Sequence, residues 1–170
     1  MREKIGIWAV RIILIIMIIF WMMTIFGFSA ENGEQSQSLS DKITIKVVQL
    51  IKPDYDSLNA EEQQHFFNNV SFVVRKTGHF GEYGILGLLI GSLLITFEGI
   101  RNFTKGKILT IGVTTGICML YAMTDEFHQG FVDGRSPKVM DVCIDTMGGF
   151  TGVVFLTLIW LIVNKMRTEK

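Results

Sequence analysis

Apolar residues along the chain fall into long blocks separated by short polar stretches, and not into the alternation of a soluble core. The first block, Ile5 to Phe28, is long enough to cross a membrane as a helix at 1.5 Å per residue. Arg2 and Lys4 precede it, and Phe28-Ser29-Ala30 puts a bulky residue where a signal-peptide cleavage site prefers a small one. The block therefore reads as a retained anchor, with the Arg11 stem snorkelling to the near surface. Glu31 to Ser40 is polar and reads as a loop. Leu39, Ile43, Val47, Leu50 and Ile51 then form one helical stripe, with Lys42, Lys46 and Gln49 off it. This piece is too short to span and ends at Lys52-Pro53. It fits an amphipathic helix lying on the membrane surface or packed on the protein's own bundle.

A further short helix opens at Asn59, where Glu62 completes a capping box, and carries Phe66, Phe67, Val70 and Val74 toward a second span over Thr77–Phe97. Glu98 to Lys107 is a basic connector with Arg101, Lys105 and Lys107. A third span covers Ile108–Gln129, stopped by Gly130 as a left-handed helix end. Asp133-Gly134 reads as a turn. Ser136 as N-cap and Pro137 in the first turn start a fourth helix that continues to Val163. Asn164, Lys165, Arg167 and Lys170 close the chain as a basic tail.

The predicted fold is thus all-α: an integral membrane four-helix bundle with a surface amphipathic helix in its first outer loop. It divides into an anchor (1–28), an outer segment with short helices (29–74), a three-span core (75–163) and a tail (164–170). The 170 residues make one domain, 49% hydrophobic with a formal net charge of zero, which gives no reason to invoke nucleic acid. Cys118 and Cys143 sit in apolar surroundings without metal-type spacing and read as buried, inert thiols.

Short loops rich in Lys and Arg face the cytoplasm, which puts both termini there and makes the chain a multi-pass protein of the cell membrane. Arg75, Lys76, Arg135 and Lys138 run against that rule and are read as site residues. The start of span two, the end of span three and the start of span four then share the outer layer. Lys76, His79 and Tyr83 share a face, with Glu82 alongside; Tyr121, Asp125, His128 and Gln129 share another. Asp141, Asp145, Gly148 and Gly152 follow steps of four, three and four. Acid gives way to glycine on that stripe, so it faces another helix closely.

Asp145 lies eight residues beyond Pro137, about 12 Å along a helix. A charge near a helix centre costs about 2.5 kcal/mol or more. It should therefore have Arg135, Lys76 or His79 as a partner.

Several chemistries are open to this layer. It can be a satisfied polar network, with Glu126 the member furthest out of phase. No His-x-x-x-His spacing supports a metal, no cofactor is implied, and no serine but Ser136 is near enough for a triad. The cations and the fourth helix's N-terminus suit an anion. His79, Glu82, His128 and Asp145 are the candidates for acid–base catalysis. Ligand contacts are expected from Lys76, His79, Tyr83, Asp125, Gln129, Arg135, Asp141 and Asp145.

Two motifs carry a resemblance. Arg75-Lys76-x-Gly78-His79-Phe80-x-Glu82-Tyr83-x-x-Leu86-Gly87 resembles the first motif of the VanZ-like membrane proteins. Asp125-Glu126-x-His128-Gln129-x-Phe131-x-x-Gly134-Arg135, followed by Asp141-Val142-x-x-Asp145-x-x-Gly148, resembles the second. Asp133 stands where that family often has proline. The resemblance covers about the last hundred residues. It implies lowered susceptibility to teicoplanin, a glycopeptide acting on cell-wall precursor at the outer surface, without implying a biochemical mechanism. The expected partner is a membrane lipid or lipid-linked cell-wall precursor, bound or shielded. The rivals are an enzyme modifying a lipid headgroup or polyprenyl-phosphate, and a helper docking on another membrane protein through its glycine face.

Overall fold

A computed structural model describes residues 2–101 and 104–168. The elements in chain order are α1 (Arg2–Ala30), α2 (Gly33–Ile51), a 3-10 turn (Tyr55–Ser57), α3 (Ala60–Leu94), α4 (Glu98–Arg101), α5 (Thr104–Gln129) and α6 (Val139–Thr168), with no strand among the described residues. Three helical stretches are long and apolar enough to cross a membrane: Gly6–Ala30, Gly106–Gln129 and Val139–Arg167. The α3 helix is not among them. The span predicted over Thr77–Phe97 lies in its second half, where His79, Glu82 and five glycines dilute the apolar run.

α3 is one helix of 35 residues, not a short helix leading to a separate span. Its start is as predicted: Asn59 Oδ1 accepts from the Glu62 N–H at 2.9 Å, and the Glu62 carboxylate accepts from the Asn59 N–H at 3.2 Å. No glycine or proline interrupts it before Gly78. At its other end the Arg11 guanidinium, instead of only snorkelling, donates to Thr96 Oγ1 at 3.0 Å and to the Thr96 carbonyl at 2.9 Å. It also covers the Phe97 ring at 4.0 Å. A cation there meets the negative end of the helix dipole.

Other boundaries also move. The polar stretch Glu31–Ser40 is mostly helical, because α2 begins at Gly33. α2 packs on α3 and buries Thr44 and Val48, while Ile43, Leu50 and Ile51 from the predicted stripe remain exposed. The basic connector contains α4, and α5 begins at Thr104. Gly130 ends α5 without left-handed backbone, its N–H shared between the Glu126 and Phe127 carbonyls. Gly134 has the positive φ, 74°, as the Asp133-Gly134 turn requires. α6 begins at Val139, three residues after the expected cap Ser136, and is helical through Thr168. Lys170, and the side chains of Arg2, Lys4, Leu39, Arg101 and Lys105, lie outside what the structure describes.

α6 packs chiefly on α3 and then on α5, while α1 packs on α3 and α5. The buried core is small: Ile25, Tyr83, Leu86, Ile90, Cys118 and Ala122. Many large apolar side chains point outward instead, among them Ile16 and Phe20 on α1, Leu120 on α5 and Ile162 on α6. That distribution suits a lipid surround, where the solvent is itself apolar. Cys143 shares it: only Cys118 is buried, and Cys143 is an exposed free thiol. Apolar neighbours in sequence mark lipid-facing positions as readily as core ones.

Candidate functional site

The site begins with how closely α3 and α6 approach. A Cβ at Gly148 would run into the backbone of Phe80, one at Gly152 into Gly84, and one at Gly87 into Gly149. Glycine lets the two backbones touch here, as small residues do between membrane helices. The residue pairs ascend together, so the two helices run parallel. Above the glycines the same faces carry the charge. Lys76 Nζ pairs with Asp141 Oδ1, and His79 Nδ1 lies 3.3 Å from Asp145 Oδ1. Asp145 has no exposed surface, and of its three expected partners it takes His79.

α5 and the following turn complete the layer. Asp125 Oδ2 accepts from Gln129 Nε2 at 3.2 Å, and Gln129 Oε1 accepts from Arg135 at 3.5 Å. Arg135 also donates to the carbonyls of Phe28 at 2.6 Å and Glu31 at 2.9 Å. A residue expected to contact an anion thus holds the C-terminal end of α1, where a cation is electrostatically favoured. Glu126 Oε2 accepts from the Lys138 N–H at 2.7 Å, just ahead of α6. This carboxylate secures the start of α6, and with it the later helix boundary.

These groups surround one cavity of about 510 Å³. Lys76, His79, Glu82, Asp125, Gln129, Arg135 and Asp141 line it, joined by Arg75, Lys138 and Glu31. Three predicted residues do not reach its wall. Asp145 lies behind His79. Tyr83 is wholly buried in the core, its ring centroid 6.0 Å from that of Tyr121. His128 stacks on Phe26, with centroids 4.3 Å apart. Among the described residues no three His, Cys, Asp or Glu side chains group as a metal site.

The sequence reading overlooked the contribution of the first helices. Ile25, Phe28 and Ser29 of α1 and Gln37, Ser40 and Ile43 of α2 also line the cavity. The up-and-down order of the helices that gathers α3, α5 and α6 puts the end of α1 in the same layer, so the signal was present. Phe72 and Met140 supply further apolar lining.

A family model described as VanZ/LLP1 matches residues 14–161. The chain belongs to the VanZ/LLP1 family. The match covers every element that lines the cavity, where the two sequence motifs account only for α3 onward. No curated protein and no solved structure matches the chain. What a VanZ/LLP1 chain does here has to be argued from the cavity itself.

Chemically, the arrangement offers two things. His79 is held at Nδ1 by a buried carboxylate, which leaves its Nε2 as the ring nitrogen for the cavity. Arg75 and Lys138 are exposed and supply N–H donors at the rim. Cationic donors of this kind suit phosphate or carboxylate oxygens.

Proposed function

We propose that this VanZ/LLP1-family chain is a four-span membrane protein with both termini cytoplasmic, its cavity opening at the outer membrane–water boundary. There it binds the anionic headgroup of a membrane lipid or lipid-linked wall precursor. Occupancy of the site shields that component and lowers teicoplanin susceptibility. The observation behind this reading is the collection of Arg75, Lys76, Arg135 and Lys138 around one cavity, the first two midway along α3 and the last two in the turn between α5 and α6. Lys76 is committed to Asp141, and Arg135 spends donors on α1 carbonyls. Arg75 and Lys138 therefore do most of the anion contact, and the two committed cations set the local potential.

The test is retention of a phosphatidic acid by the purified protein, read by native mass spectrometry. Arg75→Gln with Lys138→Gln should release the lipid, and added salt should weaken what remains. Undiminished binding by the double variant would refute the reading. Reporter fusions at each terminus and in the turn before Pro137 test the topology.

One observation favours a second, enzymatic reading: the Asp145–His79 pair orients an imidazole into the cavity beside Glu82, as acid–base catalysis on a headgroup requires. Envelope lipids and wall precursors would be profiled from cells carrying no protein, wild type or Asp145→Asn at matched level. A species that changes only with wild type establishes catalysis. An unchanged profile with lowered teicoplanin susceptibility leaves binding.

A further inference from the structure

The cavity's charges are not those of a simple anion receptor. Lys76 is neutralised by Asp141, and His79 is paired with Asp145. Glu82 and Asp125 line the cavity without a cationic partner within ion-pair distance among the described residues. Asp125 is only 3% exposed. One of its oxygens takes the Gln129 amide, and the Ser29 hydroxyl stands beside it as a second neutral donor, but no cation among the described residues pairs with it. A buried carboxylate with neutral donors only still calls for a cation, which here would come from outside the protein. Two acids thus stand in the inner part of the cavity, and the exposed bases Arg75 and Lys138 stand at its rim.

A purely anionic ligand would satisfy the rim and be repelled by the inner acids. A purely cationic one would do the reverse. A third component of the lining is apolar: Ile43, Phe72 and Met140 border the cavity and are themselves 48%, 52% and 63% exposed. They connect the cavity to the outward-facing apolar surface, as the exit for a hydrocarbon chain would.

Resting on the binding reading above, we propose that the ligand is a zwitterionic amphiphile. Its phosphate meets Arg75 and Lys138, its primary ammonium meets the Glu82 and Asp125 carboxylates, and its chain leaves past Phe72 and Met140. The ammonium is primary because two neighbouring carboxylates without cations are best met by N–H donors, and a quaternary ammonium has no N–H to give.

The full-length protein in detergent is titrated with lipids of identical chains bearing phosphoethanolamine, phosphocholine, phosphoglycerol or phosphate heads, with diacylglycerol as the uncharged control. Soluble phosphoethanolamine is the sixth probe, and native mass spectrometry reads occupancy. The phosphoethanolamine lipid should bind about tenfold more tightly than the phosphate and phosphocholine lipids, and soluble phosphoethanolamine should compete only weakly. Glu82→Gln and Asp125→Asn should each bring that preference toward parity without weakening the phosphate lipid. Both changes remove a charge at constant shape, and asparagine keeps an acceptor for Gln129, so folding is not threatened.

A preference for the phosphate or phosphoglycerol lipid, or a phosphoethanolamine preference untouched by both variants, overturns the zwitterion and leaves the anion-binding reading standing. Equal binding of the soluble and lipid forms overturns the amphiphile. No charged lipid exceeding diacylglycerol overturns both readings.

Discussion

Substituting Gly148 by alanine tests whether the α3–α6 contact builds the site. The added Cβ meets the backbone of Phe80, and neither helix can yield a main chain as it would a flexible side-chain tip. The helices must separate locally, at an overpacking cost of about 1–3 kcal/mol. Gly152→Ala, against the backbone of Gly84, should behave alike. Gly112 and Gly116 on α5 are the controls, because a Cβ at either meets nothing within 4 Å. There alanine gains up to about 1 kcal/mol from helix propensity. Helix propensity is gained at all four positions, so the two classes should differ by the overpacking cost alone, roughly 1–3 kcal/mol, which separates their Tm values by several degrees for a chain of this size. Thermal unfolding of the purified variants in one detergent measures this. Moving α6 outward also lengthens the His79–Asp145 contact, so ligand retention should fall for Gly148→Ala and hold for Gly112→Ala. Equal Tm shifts at Gly148 and Gly112 would refute the claim that backbone contact, and not helix propensity, governs these positions.

Three further expectations follow from the charged contacts and the thiols. Lys76→Met and Asp141→Leu should each destabilise by about 3 kcal/mol, since each leaves a largely buried charge unpaired. The double variant should recover much of that loss, and additive effects in the thermodynamic cycle would show that the pair is not coupled. Arg135→Lys should lower stability by about 1–2 kcal/mol, because one ammonium cannot reproduce a fork that spans the Phe28 and Glu31 carbonyls; an unchanged Tm would remove Arg135 from the role of holding α1. An apolar maleimide applied to the solubilised protein should label Cys143 and spare Cys118, as peptide mass spectrometry would show; comparable labelling of both would contradict the burial of Cys118.

The convergence of α3, α5 and α6 was legible because the polar residues of each keep helical phase over two turns or more. The desolvation cost of Asp145 was enough to demand a partner. Phase does not say which neighbour a face meets. His128 lies one turn beyond Asp125, yet it looks toward Phe26 of α1 and not into the cavity. Helix limits were less legible than the apolar blocks themselves. The rise in hydropathy near Thr77 marks where an apolar surround would begin, and nothing in the backbone chemistry there stops a helix that has run from Ala60. The reach of Arg135 was hidden for another reason. A loop residue carries no periodicity, and its acceptors are carbonyls more than a hundred positions away.

A polar network that only staples helices together explains a definite subset of these residues. Arg11 and Arg135 each serve the C-terminal end of a helix, Glu126 serves the start of α6, and Lys76 with Asp141 ties α3 to α6. In every one of these cases the charge has found an opposite charge or an oriented backbone group, which is the condition for keeping it at membrane depth. Glu82 and Asp125 do not fit that pattern. Each could be replaced by its neutral amide isostere with no ion pair lost, and both would then be less costly to bury. Helix packing alone gives no reason for carboxylates at these positions. A cation or donor that arrives from outside does, and for that reason the function is sought at Glu82 and Asp125 before the better-connected charges around them.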